Sequence, residues 1–271
     1  MSVVKSEIGR FYRKITVRWL LFVVFVITTS FSFVATYETK ANLIAVDSFS
    51  NFYAMSDNRL QKFSTDGKFL YRYEEYRFGK FGTLDVTNPL KIMVFYPDFM
   101  TVTTLDRFLA PITTYNFFNL GYQNITAIAS STDNRLWFYD NVDFKLKKID
   151  EAGKIFRESQ PLNIIIGEAP SPNFIIEKDN RVYVNDPEIG ILVFDLFGGY
   201  SKTIPLKGLK KFQILKEQVI YFENNSINSY NPTTFESVAL ALPDTSNIQQ
   251  AVLEKDCLGI LKKDHIDFYK Y

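Results

Sequence analysis

The stretch TAIASSTDNRLWFYDNVDFKLKKIDEAGKIFRESQPL (126–162) decides the fold. It holds four short runs, TAIASS (126–131), RLWFYD (135–140), KLKKID (145–150) and IFRESQPL (155–162), separated by TDN, NVDF and EAGK. Apolar and polar residues alternate within the runs with the period of two that strands require, and the separators are made of turn-forming residues. The next stretch does the same with NFIIEK (173–178), RVYVND (181–186), GILVFD (190–195) and YSKTIPL (200–206). Four antiparallel strands therefore follow one another, twice.

A local signature ties these stretches to the rest of the chain. An apolar residue, then Asp, Asn or Ser, then a glycine four positions after the first, occurs as FSTDG (63–67), IDEAG (149–153) and FDLFG (194–198). LDRFL (105–109) and YNPTT (230–234) are copies without the glycine, and FYK from Phe268 is a partial one. Four strands in a unit of about forty residues is the arithmetic of a β-propeller blade. Six units cover 42–271, and no segment carries a sustained apolar period of 3.6. The expectation is an all-β, six-bladed β-propeller of four-stranded antiparallel blades. A seven-bladed count, a pair of β-sandwiches or another β-solenoid are the competing readings.

The sixth unit supplies three strands, AVLEKD (251–256), CLGILKK (257–263) and HIDFYKY (265–271). FVATYETK (33–40) is a strand without a blade. Pairing the two closes the ring with an N-terminal strand that completes the last blade, and removes two open sheet edges.

Composition agrees with a strand-rich core. The 271 residues include 26 Phe, 16 Tyr and 2 Trp, the aromatic types that pleated sheets favour. Cys257 is the single cysteine, so no disulfide forms within the chain. Residues 1–32 hold five basic side chains and one acidic, leaving 26 basic against 29 acidic in the remainder, a net of −3. A mildly acidic body lacks the basic footprint of a nucleic-acid binder.

The N-terminus reads as an export signal. Basic residues precede an apolar run from Trp19, and Ser30 and Ser32 stand where a signal peptidase expects small side chains. The expected division is a signal peptide over 1–32 and one propeller domain over 33–271. The alternative is an uncleaved membrane anchor over 19–35, the only membrane contact this sequence suggests. Both readings place the body across the inner membrane, in the periplasm or at the outer-membrane periphery.

The glycine-punctuated units resemble six-bladed propellers of the NHL and TolB-like type. NPLKIMVFYPDF (88–99) resembles a segment of exported propeller proteins of Bacteroidota. That resemblance implies a bacterial envelope location and the propeller fold, and carries no catalytic residue, metal ligand or cofactor across.

Candidate chemistry is sparse. His265 is the single histidine, and a histidine-based metal centre or a Ser-His-Asp system needs further placed partners. Asp57, Asp98, Asp140, Asp186, Asn224 and Asp264 recur after the second strand of successive units. Such residues cap turns, but converging near a central channel they would also suit calcium, a cationic ligand or a lactonase-like hydrolytic site. KGLKK (207–211) reads as a solvated loop rather than an anion site. Two aromatic stretches, YPDF (96–99) and YNFFNLGY (115–122), combine rings with turn residues. Tyr96, Asp98, Phe99, Tyr115, Phe117, Phe118 and Tyr122 are therefore the candidate interaction surface, with packing between blades as the competing role. The expectation is a non-catalytic scaffold without a cofactor that binds an envelope protein. A glycan or small-ligand binder is the alternative.

Overall fold

In the computed structural model, residues 31–270 are described; the expected signal segment lies outside them except for its last two residues. Strand β1 is Ser32–Glu38. Blade 1 contains β2 (Leu43–Val46), β3 (Phe52–Met55), β4 (Arg59–Phe63) and β5 (Phe69–Glu74). Blade 2 contains β6 (Thr83–Asp85), β7 (Lys91–Tyr96), β8 (Thr101–Asp106) and β9 (Pro111–Asn116). Blade 3 runs through β10 (Ile125–Ser130), β11 (Leu136–Asp140), β12 (Lys145–Ile149) and β13 (Ile155–Glu158). Blade 4 has β14 (Phe174–Lys178), β15 (Arg181–Asp186), β16 (Gly190–Phe194) and β17 (Tyr200–Ile204). Blade 5 has β18 (Gln213–Leu215), β19 (Gln218–Glu223), β20 (Ser226–Tyr230) and β21 (Ser237–Ala241). Blade 6 joins β22 (Gln250–Glu254), β23 (Cys257–Leu261) and β24 (His265–Lys270) to β1, in the order β1-β24-β23-β22. The six sheets form a propeller ring.

The closing pair is in the expected place. Strand β1 runs antiparallel to β24, from Ser32 opposite Lys270 to Glu38 opposite His265. The Thr36 hydroxyl donates to Asp267 Oδ1 at 2.5 Å, and Thr39 N–H donates to the Asp264 carbonyl at 2.9 Å. Tyr37 reaches into blade 1, edge-on to Phe63 at 4.6 Å.

Each blade buries both faces of its middle strands, so neighbouring residues serve different interfaces. Phe52 packs toward blade 6 and Tyr53 toward blade 2; Ile191 and Val193 face blade 5, Leu192 and Phe194 blade 3. One apolar cluster fills each of the six interfaces. The fourth strands, such as β13 and β21, form the exposed outer edge.

Polar clasps supplement the apolar interfaces. The Gln250 side-chain amide imitates a strand partner, accepting from Ile44 N–H at 2.8 Å and donating to its carbonyl at 3.0 Å. Gln213 does the same for Leu253. Between blades 3 and 4, the buried Glu177 carboxylate accepts from the Ser131 hydroxyl, Thr132 N–H and Trp137 Nε1 at 2.6–2.8 Å. Burial pushes the Glu177 carboxyl up, but the donors prevail and hold it below the ordinary glutamate range.

The repeated signature is a turn between third and fourth strands. Asp195 Oδ1 accepts from Phe197 and Gly199 N–H, both at 2.8 Å, while Gly198 takes a left-handed φ of 87°. Where the glycine is missing, Leu109 stands in its place at φ 63°, and Phe235, one position beyond Thr234, takes a φ of 62°, each at a steric cost. Asp106 Oδ1 accepts from Phe108 and Ala110 N–H, as Asp195 does from its own turn, whereas Asn231 Oδ1 accepts from Thr233 and Thr234 N–H in a turn one residue longer.

One expectation needs correction. The run IFRESQPL ends as a strand at Glu158, and residues Leu162–Ile166 form a short helix α1 in the connection to blade 4. Pro161 supplies a fixed φ before the helix, and Gly167 ends it in the left-handed region at φ 86°.

Candidate functional site

A propeller offers three places for function: the loops of each face and the cavity on the axis. In an antiparallel meander, the turn between second and third strands and the connection to the next blade emerge on the same face. The two expected aromatic stretches therefore share a face. They are also joined: Asn116 Nδ2 donates to the Phe99 carbonyl at 3.0 Å, and Phe117 N–H donates to the Met100 carbonyl at 2.8 Å.

The structure divides the seven expected surface residues by role. Tyr96 is 0% exposed, at the end of β7, with its hydroxyl 3.0 Å from that of Tyr73 across the interface of blades 1 and 2. Phe117 is also 0% exposed, edge-on to Phe138 in blade 3. Both belong to the core rather than to an exposed face. Tyr115 and Tyr122 are half-buried against the cluster between blades 2 and 3. What remains open is Asp98, Phe99 at 50% exposure and Phe118 at 52%. Tyr76, Val142 and Ile164, also exposed, emerge on the same face from neighbouring connections and turns.

Four of the six recurrent turn residues are occupied by other work. Asp140 Oδ1 accepts from Val142 N–H, and Oδ2 pairs with Lys147 Nζ at 2.8 Å. Asp186 accepts from Glu188 and Ile189 N–H and from Ser171 N–H. Asp57 pairs with Lys80 at 2.7 Å, and Asp264 with His265 Nδ1 at 2.6 Å. None of the six lines the axial cavity. Among the described residues, no group of three or more His, Cys, Asp or Glu side chains is placed to hold a metal ion. His265 lies between Asp264 and Asp267, its Nε2 being 3.5 Å from the latter.

The axial cavity has a volume of about 560 Å³ and is walled by blades 1, 2, 4, 5 and 6. Its walls are largely apolar, including Ile44, Leu84, Phe174, Ile214, Ile220 and Val252. In blade 5 the lining extends past the three-residue β18 to Ile220 and Phe222 of β19. Exposed residues of the lining, Asn42, Lys210 and Glu223, mark where it meets solvent.

Lys211 enters this cavity from the connection between β17 and β18. The connection is fixed by Asn185 Nδ2 donating to the Leu209 carbonyl at 2.6 Å and by Gly208 N–H donating to the Pro187 carbonyl at 2.7 Å. Leu209 and Phe212 are buried on either side, Phe212 edge-on to Phe174 at 5.3 Å. Held between these anchors, Lys211 has a buried Nζ with no hydrogen-bond partner among the described residues. The Phe174 ring centroid, 5.8 Å away, offers only a weak cation–π contact. Burial lowers the Lys211 ammonium to a pKa of about 8, against a smaller opposing pull from Asp85. The expectation of a solvated KGLKK loop thus holds for the exposed Lys207 and Lys210 but fails for Lys211.

No protein-family model and no curated protein sequence matches the chain. Solved structures do. A catalytically inactive virginiamycin B lyase from Staphylococcus aureus with quinupristin is similar at a TM-score of 0.59 and 15% identity, over 89% of this chain and 100% of that one. BamB from Moraxella catarrhalis is similar at a TM-score of 0.52 and 11% identity, over 89% of this chain and 98% of that one. A protein of unknown function from Bacteroides caccae follows at 0.52 and 10%, over 78% and 82%. At such identities the likeness is one of architecture alone; the six four-stranded sheets describe this chain as a six-bladed β-propeller.

Proposed function

We propose that the chain is an exported, non-catalytic scaffold of a bacterial cell envelope that binds a protein partner through the face bearing Phe99 and Phe118. The observation that carries this reading is the exposure of these two rings on ordered turns. Both sit beside hydrogen bonds that fix their loops, so holding them in water costs hydrophobic free energy without a packing return. Exposed aromatics on a preorganised surface are the usual anchors of protein interfaces. The architectural likeness to BamB is compatible with this role. Asp57, Asp140 and Asp186, carboxylates that a hydrolytic reading needs, are spent on turns and ion pairs, which favours binding over catalysis.

Crosslinking the native protein in envelope fractions, followed by mass spectrometry, reads the partner and the mature N-terminus together. The expected result is a mature chain starting at Phe33 and a defined partner crosslinked near Phe99 and Phe118. Replacing both rings with alanine should abolish that crosslink without lowering the unfolding temperature. A crosslink unaffected by the double replacement, or no partner at all, overturns the scaffold reading; a retained N-terminal segment overturns cleavage.

A further inference from the structure

The axial cavity is separate from the Phe99–Phe118 surface. At about 560 Å³ it falls within the range of small-molecule sites, roughly 300–1,000 Å³. Its distinguishing feature is electrostatic. Lys211 brings an ammonium group among Phe174, Ile176 and Phe212, and no acceptor in the described residues reaches it. A polar group placed this way loses its hydration and gains in exchange only the weak contact with Phe174 and the pull of Asp85.

The other charged groups of the lining do not repair this. Asp85 stands on β6 in blade 2, across the ring from blade 5, and its oxygens accept from Thr87 N–H, the Thr87 hydroxyl and Ser130 N–H. No ion pair joins it to Lys211. Lys178 and Lys210 add positive charge to the lining, while Glu223 and Glu254 are its remaining carboxylates; neither is an ion-pair partner of Lys211. The cavity wall thus holds one unsatisfied donor group, Lys211 Nζ, beside a largely apolar lining.

We propose that this cavity is a binding site for a small organic monoanion, an apolar body carrying one carboxylate that accepts hydrogen bonds from Lys211 Nζ. One ammonium suits one carboxylate. A phosphate dianion would lose far more hydration and would call for the several convergent donors, such as Arg forks, that this lining lacks. The apolar body would cover the surfaces of Ile44, Leu84 and Ile214, and the charge pair would form in a low-dielectric surround where it is strong.

Isothermal titration of the full chain tests this with phenylacetate, phenylpropanoate and phenylbutanoate, each beside its alcohol and its alkylammonium analogue. At least one carboxylate should bind saturably, one per chain, about tenfold more tightly than its alcohol, a difference of about 1.4 kcal/mol. The ammonium analogue should not bind. Lys211→Met should remove the preference for the carboxylate, and Lys211→Arg should retain it. In the unmodified protein, raising the pH from about 7 to about 9 should weaken carboxylate binding and leave alcohol binding unchanged. That pH dependence should vanish in Lys211→Met, which separates Lys211 from Asp85, Lys178, Lys210, Glu223 and Glu254. Equal binding of the three head groups overturns the proposal. So does a carboxylate preference that survives Lys211→Met, a flat pH profile, or the absence of saturable binding by every carboxylate. Replacing Phe99 and Phe118 with alanine should leave the titration unchanged, so the cavity and the protein-binding face stand or fall separately.

Discussion

Lys211 is the residue at which stability and function part company. Its ammonium, lowered to about 8 by burial, binds its proton less tightly in the folded chain than in the unfolded one. Below about pH 8 the folded state therefore carries the cost of a buried charge, and that cost is relieved as the pH climbs toward the ordinary lysine value near 10.4. A gap of about two units corresponds to roughly 3 kcal/mol at most. Lys211→Met keeps the stem and removes the charge, so at pH 7 it should raise the urea-unfolding free energy by roughly 1–3 kcal/mol. The gain should shrink between about pH 8 and about pH 10. A variant no more stable than the parent at pH 7, or a gain independent of pH, contradicts this account of the site. In the sequence, Lys211 looks like Lys207 and Lys210; only the burial of Leu209 and Phe212 on either side of it separates them. Tyr96 and Phe117 illustrate the opposite difficulty. In KIMVFY both faces of the strand are buried, so alternation no longer tells an aromatic that packs between blades from one that meets solvent.

At the scale of elements, much of the fold is legible because turns and strands repeat the same chemistry. The Asx turns at Asp106, Asp150 and Asp195 all stand between third and fourth strands, as the spacing of the signature implies. The closing strand, expected at 33–40, is β1 at Ser32–Glu38. Helix α1 is hidden from periodicity because five residues make barely one turn. The clasps of Gln213, Gln250 and Glu177 are equally hidden, since their partners lie about 40 to about 206 positions away and belong to another blade. Closure gives the sharpest test at this scale. Removing 33–40 exposes the edge of β24 and takes Tyr37 away from Phe63 and Phe69. It also leaves Asp267 without the Thr36 hydroxyl. The loss should lower the unfolding midpoint of the entire ring by at least several degrees, with hydrogen-exchange protection falling in blades far from the cut. Loss of protection confined to blade 6 would show that β1 is an accessory strand rather than the closure of the ring.

The whole molecule distributes its core over six interfaces, and every blade shares each of its two faces with a neighbour. A blade that separates from the ring loses apolar burial on both sides, so opening one interface withdraws support from the next. Cys257 is a built-in reporter of that coupling. It is fully buried in the cluster between blades 6 and 1, where Sγ lies 3.1 Å from the Glu254 carbonyl, and burial pushes its thiol up to about 11. Only a thiolate reacts readily with iodoacetamide, and here a thiolate requires exposure to water. If the ring opens as one unit, the free energy of opening obtained from the alkylation rate should equal that from urea unfolding. Both should then fall with the same dependence on urea, because each exposes the same surface. Alkylation governed by a smaller free energy with a shallower urea dependence would mean that the seam between blades 6 and 1 opens alone. Since that seam includes β1, deletion of 33–40 should accelerate alkylation together with global unfolding under the cooperative mechanism. Under the local mechanism it would accelerate alkylation and leave the urea transition of the other blades in place.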